Sequence, residues 1–281
     1  MSTIDVFESN YNCTPKIQQL WRSMQRVIGS VGRQALASLN QIATQLTFAY
    51  KILRLLTFPS KYGRALVRRI TMEQVYFTAV QALPIIIPIA ILIGGMIIIQ
   101  FSRFSGQYDL GRITVLIIVR ELGPILTAFL IILRSATAVT IEVGYMNVLH
   151  EIDALEMSGI DPLWIVCVPR LVGITSAILC LFIVFDIVAV VGGYGLVWII
   201  TYIYLGDFLL QIANAISVAD ITVGLIKAVL FGLTITVTCL YHGFKTQRHI
   251  TQIPVAASRA SVQCFIYCLI ISAVISLIFY L

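Results

Sequence analysis

Two charged residues lie inside a stretch of sequence that is otherwise apolar enough to cross a membrane. Arg120 and Glu121 are neighbours within the apolar run from Ile113 to Leu133. A charge at the bilayer centre costs at least about 2.5 to 3.5 kcal/mol, so both side chains must face protein, water or a polar ligand. Neighbouring helical residues point about 100° apart, so the two cannot face one partner squarely. We expect one to contact a ligand and the other to hold helices together.

Two more ionisable residues lie in later apolar runs. Asp186 is deep in one of them, and Lys227 lies about two turns inside the end of another. Ionisable residues within a membrane mark functional sites by default, whereas the alternative here is a buried structural pair with Arg120 or Glu121. A lysine near a helix end can also extend to the lipid headgroups. The sequence leaves all three interpretations open.

The second feature that could carry a function is an acidic, polar segment between two apolar runs. It extends from Glu142 to Pro169 and predicts a helix over about 145–163, which Gly159 and the following Asp-Pro pair end. The segment is too polar to enter lipid. Such a helix either presses into a groove of a partner protein or connects two spans along the surface. Its charged and apolar contact residues are Glu151, Ile152, Asp153, Leu155, Glu156 and Asp161.

The bulk composition excludes an ordinary soluble domain. Of 281 residues, 59% are hydrophobic and 11% are charged, and the mean hydropathy is +0.96. The six cysteines lack metal-site spacing, and the net charge of +6 gathers before the first span, which indicates topology rather than nucleic-acid binding. The sequence has no phosphate-binding loop, no His-Glu-x-x-His motif and no Gly-x-Ser-x-Gly motif. Catalysis by this chain alone is therefore poorly supported.

Hydropathy predicts an all-α integral membrane protein with an N-terminal region over residues 1–72 and a five-span membrane domain over residues 73–281. A helical pattern from Lys16 to Val31 has one apolar and one basic face, as a helix in the membrane interface should. Ten Lys or Arg residues precede Glu73 and place the N-terminus in the cytoplasm. The five predicted spans run from about Val75 to Phe101, Ile113 to Thr137, Leu171 to Ile200, Ile221 to Tyr241 and Val262 to Leu281.

Proline and glycine predict irregular helices in three places. Pro84, Pro88 and Gly94-Gly95 predict a bend or a partly unwound segment in the first span, and Gly123-Pro124 fits either a bend beside a cavity or a tightly packed second span. The glycines between Gly192 and Gly195 predict a tilt or a break near the outer end of the third span.

An ordered set of motifs resembles the MlaE-type permeases, also called YrbE-type, of bacterial ABC lipid transporters. The resemblance covers roughly residues 60 to 270. Departures occur near the end, where Ser276-Leu277 replaces an Asp-Phe pair common in the family. The motifs are Gln74-Val75-Tyr76-Phe77, Arg120-Glu121-Leu122-Gly123-Pro124-Ile125-Leu126-Thr127-Ala128, Glu142-Val143-Gly144-Tyr145-Met146, Glu151-Ile152-Asp153-Ala154-Leu155-Glu156 and Gly159-Ile160-Asp161-Pro162.

The resemblance implies a homodimeric permease of the bacterial inner membrane with phospholipid or a related lipid as substrate. Two cytoplasmic ABC ATPase subunits, which bind the ATP and Mg²⁺, would dock on the acidic helix over about 145–163, which would be the coupling helix. A ring of MCE-domain proteins would lie on the periplasmic side. No cofactor, metal or nucleic acid is implied for this chain. The implied lipid-contacting residues are Ile97, Phe104, Tyr108, Arg120, Glu121, Leu122, Lys227 and Arg259. The implied coupling residues are Glu151, Ile152, Asp153, Leu155, Glu156, Gly159 and Asp161.

Two other functions compete with lipid transport. An ion- or proton-coupled secondary carrier would use Glu121, Asp186 and Lys227 as a relay and would need no ATPase. A structural membrane scaffold would use the same charges only to hold helices together.

Overall fold

The computed structural model describes residues 40–57, 63–102, 115–200, 206, 210, 217–246 and 249–280. The chain divides into two units, Met1–Ala49 and Tyr50–Leu281. The predicted interfacial helix from Lys16 to Val31 lies outside the described residues, and the predicted boundary after residue 72 stays a prediction.

The regular elements of the described residues are all helical. Three π-helical segments (Val115–Leu122, Ile132–Ala136 and Leu163–Cys167) and two 3₁₀ turns (Val80–Ala82 and Ile250–Gln252) adjoin the α-helices. The α-helices are α1 (residues 40–57), α2 (Arg64–Thr78), α3 (Leu83–Ser102), α4 (Gly123–Ile131), α5 (Thr137–Val148), α6 (Glu151–Met157), α7 (Val168–Ile200), α8 (Val218–Phe244) and α9 (Ile253–Tyr280).

Five helical stretches of the described chain are long and apolar enough to cross a membrane, which needs about 20 residues. The predicted all-α membrane fold with five spans is thereby confirmed. The first, third and fifth stretches begin before their predicted starts and the second continues past its predicted end, because the helices continue through polar residues where hydropathy falls. The stretches are Arg64–Gln100, Ile117–Val148, Leu163–Leu196, Val218–Phe244 and Ile250–Phe279.

Close packing of α3 on α7 explains the glycines in both helices. A Cβ at Gly94 would overlap the backbone of Ala189, and one at Gly193 would lie 2.6 Å from the Gly94 carbonyl carbon. Neither helix breaks at these glycines, since α3 and α7 continue through them and glycine permits their close approach. The predicted bend of the first span and tilt of the third stay predictions. Helix α3 also continues through Pro88. The irregular turn of the first stretch is Val80–Ala82, directly before α3.

The two ends of the bundle carry different elements. Helix α6 connects the end of α5 to the π-helical segment before α7, and the same end holds the last turn of α8. There the Asn147 amide donates to the carbonyl oxygens of Phe244 and Thr246 at 3.0 and 2.9 Å. We name this the α6 end. The opposite end, which we name the far end, holds the start of α8 and the last turns of α7 and α9.

Candidate functional site

A change of helix type positions the charged pair near the far end. Residues Val115–Leu122 are π-helical, and α4 begins at Gly123 with Pro124 in its first turn, where a proline without an N–H is tolerated. Short π-helical segments are frequent at functional sites. A Cβ at Gly123 would overlap the carboxylate of Asp186, so glycine lets α7 approach this junction.

Lys227 is the centre of a polar network inside the bundle. Its side chain is 0% exposed, and its Nζ donates to Glu121 Oε1 at 3.0 Å, to the Arg120 carbonyl oxygen at 3.0 Å and to Ser276 Oγ at 2.8 Å. Ser276 in turn donates to Glu121 Oε1 at 2.7 Å. The network joins the π-helical segment to α8 and α9. The interpretation that Lys227 extends to the headgroups is wrong, because its ammonium turns inward to these acceptors.

Arg120 has a different partner on the same helix. Its Nη2 lies 2.7 Å from Asp220 Oδ1, and the Asp220 side chain is 2% exposed. Asp220 also accepts a hydrogen bond from the Ser217 backbone N–H at 3.0 Å and so completes the N-terminal cap of α8. Asp220 and Lys227 are seven residues apart and share one face of α8. The neighbours Arg120 and Glu121 thus have different partners, although both partners belong to α8.

Asp186 does not join this network. Its Oδ1 is buried and has no hydrogen-bond partner within the described residues. It lies against Gly123, whereas Lys227 contacts Glu121. The structure therefore brings together two of the three residues that a proton relay would use.

The other residues implied to contact lipid lie in several places. Ile97 is half-buried on α3, one turn from the Gly94 contact, and Leu122 is half-buried at the end of the π-helical segment. Phe104 and Tyr108 lie outside the described residues. Arg259 is exposed on α9 and lies 17 positions before Ser276, which corresponds to about 25 Å of helix. Helix α9 thus places Arg259 towards the α6 end, and its implied contact with lipid stays a prediction.

Helix α6 is shorter than the predicted 145–163, since α5 continues to Val148 and α6 ends at Met157. His150 (φ 60°) and Gly159 (φ 73°) occupy left-handed conformations on either side of α6 and turn the chain sharply. Asp161 then accepts from the Leu163 N–H at 2.9 Å and starts the chain back into the bundle.

The side chains of α6 separate into an anchor and an outward surface. Ile152 is 6% exposed and packs against the bundle, whereas Leu155 is half-buried and Met157 is 83% exposed. Asp153 contacts His150 Nδ1 at 2.7 Å, and Glu151 and Glu156 are exposed. Helix α6 therefore presents exposed acidic groups around a small apolar surface.

Asp220 and Ser276 are site residues that the sequence reasoning did not assign. The spacing Ser217-x-x-Asp220 is a helix-cap signal, and the seven-residue separation from Lys227 could have placed both on one face. Ser276 has no comparable signal, because its contact with Glu121 joins residues 155 positions apart.

The chain is similar to proteins of known classification along most of its length. Residues 71–278 match the family described as Permease MlaE. A Probable ABC transporter permease protein of Rickettsia felis is 26% identical over 263 residues, covering 90% of this chain and 98% of the relative. The Haemophilus influenzae protein named Intermembrane phospholipid transport system permease protein MlaE is 32% identical over 197 residues, covering 66% and 75% of the two chains.

A plant protein shows a weaker similarity. Protein TRIGALACTOSYLDIACYLGLYCEROL 1, chloroplastic, of Arabidopsis thaliana is 25% identical over 182 residues, covering 63% of this chain and 52% of the relative. With the helical spans and the family match together, this chain belongs to the MlaE permease family of ABC transporter permeases.

Proposed function

We propose that this chain is the permease subunit that moves phospholipid or a related lipid between a bacterial inner membrane and a ring of MCE-domain proteins. A separate ATPase supplies the work. The Haemophilus relative named for intermembrane phospholipid transport supports this substrate class. The observation that carries the proposal is the network around Lys227, which keeps two cations and two carboxylates inside an apolar bundle.

The network suits contact with a lipid headgroup. Glu121 is 36% exposed on its side chain and Arg120 is 24% exposed, whereas their partners Lys227 and Asp220 are buried. The accessible member of each ion pair is therefore the one on the π-helical segment. A headgroup phosphate would contact the Arg120 guanidinium, and acyl chains would lie along aliphatic residues such as Ile97 and Leu122.

Charge distribution supports a cytoplasmic α6 end. Arg64, Arg68 and Arg69 on α2, and Lys245 after α8, lie at that end of the bundle. Basic residues collect on the cytoplasmic side of membrane proteins. Helix α6 would then face the cytoplasm and the Lys227 network would lie nearer the outer leaflet, with the N-terminus cytoplasmic.

The proposed assembly has two permease subunits, two ATPase subunits on the α6 ends and the MCE ring outside. The ATPase binds ATP and Mg²⁺, and its closure would draw the two α6 helices together. That movement would narrow a lipid cavity between the permease subunits and transfer the lipid. The residues assigned to coupling in this proposal are the exposed and half-buried side chains of α6 and its flanking turns.

Two variants test the proposal in a purified permease–ATPase complex reconstituted in vesicles. Glu121→Ala should lower lipid transfer at least tenfold while ATP hydrolysis continues, because it removes the carboxylate bound to Lys227 and leaves the α6 end unchanged. Leu155→Asp should lower both transfer and transfer-linked hydrolysis, because it places a charge in the docking surface. Ile250→Asp makes the same kind of change at an exposed residue of another turn at the α6 end and is the matched control. Unchanged transfer in both test variants would remove the two assigned sites.

The secondary carrier is the weaker alternative. Glu121 and Lys227 are in contact, but Asp186 is not part of their network, so the described contacts do not join the three residues of the relay. Membership of an ABC transporter permease family also argues for an ATP-driven partner.

A further inference from the structure

A polar cleft of about 520 Å³ opens at the α6 end, beside the first residue of α6. Its walls come from α2, α5, α6, α7 and the π-helical segment before α7. Three glutamates and one arginine, Glu73, Glu142, Glu151 and Arg170, supply the charges, and the remaining wall is aliphatic apart from Tyr145 and Met146. The cleft is far from the Lys227 network, because Glu121 and Glu142 are separated by 21 residues of continuous helical structure, roughly 30 Å.

The charges of the cleft do not balance. Arg170 is 7% exposed, and its Nη2 lies 2.7 Å from Glu142 Oε1, so its charge is paired although its buried Nε has no hydrogen-bond partner within the described residues. Glu73 pairs with Arg69 at 3.1 Å, but both side chains are more than half exposed and water screens such a pair strongly. Glu151 makes no ion pair or side-chain hydrogen bond within the described part of the chain. Three carboxylates against one buried guanidinium leave the cleft negative.

We propose that this cleft receives a lysine or arginine side chain of the ATPase subunit that docks on α6, an inference that rests on the proposed function. The carboxylates of Glu73 and Glu151 bind the cationic head. The aliphatic wall contacts the methylene stem, which long basic side chains bury readily. Because the cleft adjoins Glu151, the first residue of α6, one partner surface contacts both the cleft and the exposed side of α6.

Other occupants fit the cleft less well. A lipid phosphate would need a free cation, and the only arginine of the cleft is buried and bound to Glu142. A metal ion would need several ligands close together, and the described residues contain no group of three or more His, Cys, Asp or Glu that could hold one. A basic protein side chain needs neither a free cation nor several close ligands, because it carries a positive charge and can pair with the exposed carboxylates of the cleft.

Carbodiimide cross-linking of the intact permease–ATPase complex tests the occupant directly, because this reagent joins a carboxylate only to an amine in contact with it. We expect mass spectrometry to find Glu73 or Glu151 joined to a lysine of the nucleotide-binding subunit. If the basic residue is an arginine, which the reagent does not join, the affinity measurement below decides. Adducts of these glutamates with the amine of a phospholipid would overturn the proposal.

Affinity measurements separate this inference from the proposed function. The double variant Glu73→Gln and Glu151→Gln should bind the ATPase roughly tenfold more weakly at low salt and only about twofold more weakly at high salt, because interface charges are screened. Glu156→Gln, an exposed acid of α6 outside the cleft, should cause a smaller loss. If Leu155→Asp abolishes binding but the double variant binds normally, the cleft proposal alone fails. If Leu155→Asp also binds normally, the proposed docking on α6 fails as well.

Discussion

The ion pair between Glu121 and Lys227 yields a quantitative prediction because its two partners differ in exposure. Lys227 is 0% exposed and Glu121 is 36% exposed. Glu121→Ala leaves a buried ammonium with only a carbonyl and a hydroxyl, and we expect a loss of about 3 kcal/mol in unfolding free energy, the low end for breaking a buried pair. Lys227→Met leaves a carboxylate that still accepts from Ser276 and reaches water, so we expect about 1 to 2 kcal/mol.

The double variant distinguishes a true pair from two independent effects. Once the ammonium is gone, removing the carboxylate costs little. The loss of unfolding free energy in the double variant should therefore be smaller than the sum of the two single losses by about 1 to 3 kcal/mol. Equilibrium unfolding of the purified chain in mixed detergent micelles measures all three variants. The exposed pair Arg69 and Glu73 is the matched control, with an expected coupling below about 0.5 kcal/mol. Additive losses at Glu121 and Lys227, within about 0.5 kcal/mol, would refute the reasoning.

Three further substitutions test the packing that supports the site. Gly94→Ala should lower the unfolding free energy by about 1 to 3 kcal/mol, because its methyl group would overlap the backbone of Ala189; Gly195→Ala, with no atom within 4 Å of the added carbon, is the control and should change little. Gly159→Ala should cost about 1 kcal/mol, since its φ of 73° is left-handed, and a neutral result in the same unfolding assay would argue against that turn. Asn147→Ala should cost about 1 to 3 kcal/mol by leaving two carbonyl groups without their donor, and hydrogen exchange at the end of α8 should rise.

The membrane fold could be predicted because hydropathy and length depend on local sequence. Five apolar runs indicated five spans, and the acidic segment between the second and third spans indicated a helix outside the lipid. The helix ends were less predictable, because helices continue through residues that are too polar to belong to an apolar run. Helix α5 continues to Val148, and α9 begins as early as Ile253. Glycine was ambiguous for a physical reason: a bend and a close helix crossing both favour it. At Gly94 and Gly193 the crossing is the cause.

The candidate site was predicted only in part because its contacts join distant parts of the chain. Arg120 and Glu121 were conspicuous as charges among apolar residues, and Lys227 was noticed for the same reason. Their pairing depends on how α8 and α9 pack on the π-helical segment, which no local pattern encodes. The position of Arg259 relative to Lys227 likewise depends on the direction and length of α9, which no local pattern gives.

The energy source of transport tests the central claim most directly. Vesicles containing the permease with its ATPase, and vesicles containing the permease alone, would be loaded with fluorescent phospholipid and given either ATP or a proton gradient. The account predicts lipid transfer to acceptor MCE protein only when the ATPase and ATP are both present. Transfer by the permease alone, driven by the proton gradient, would contradict it.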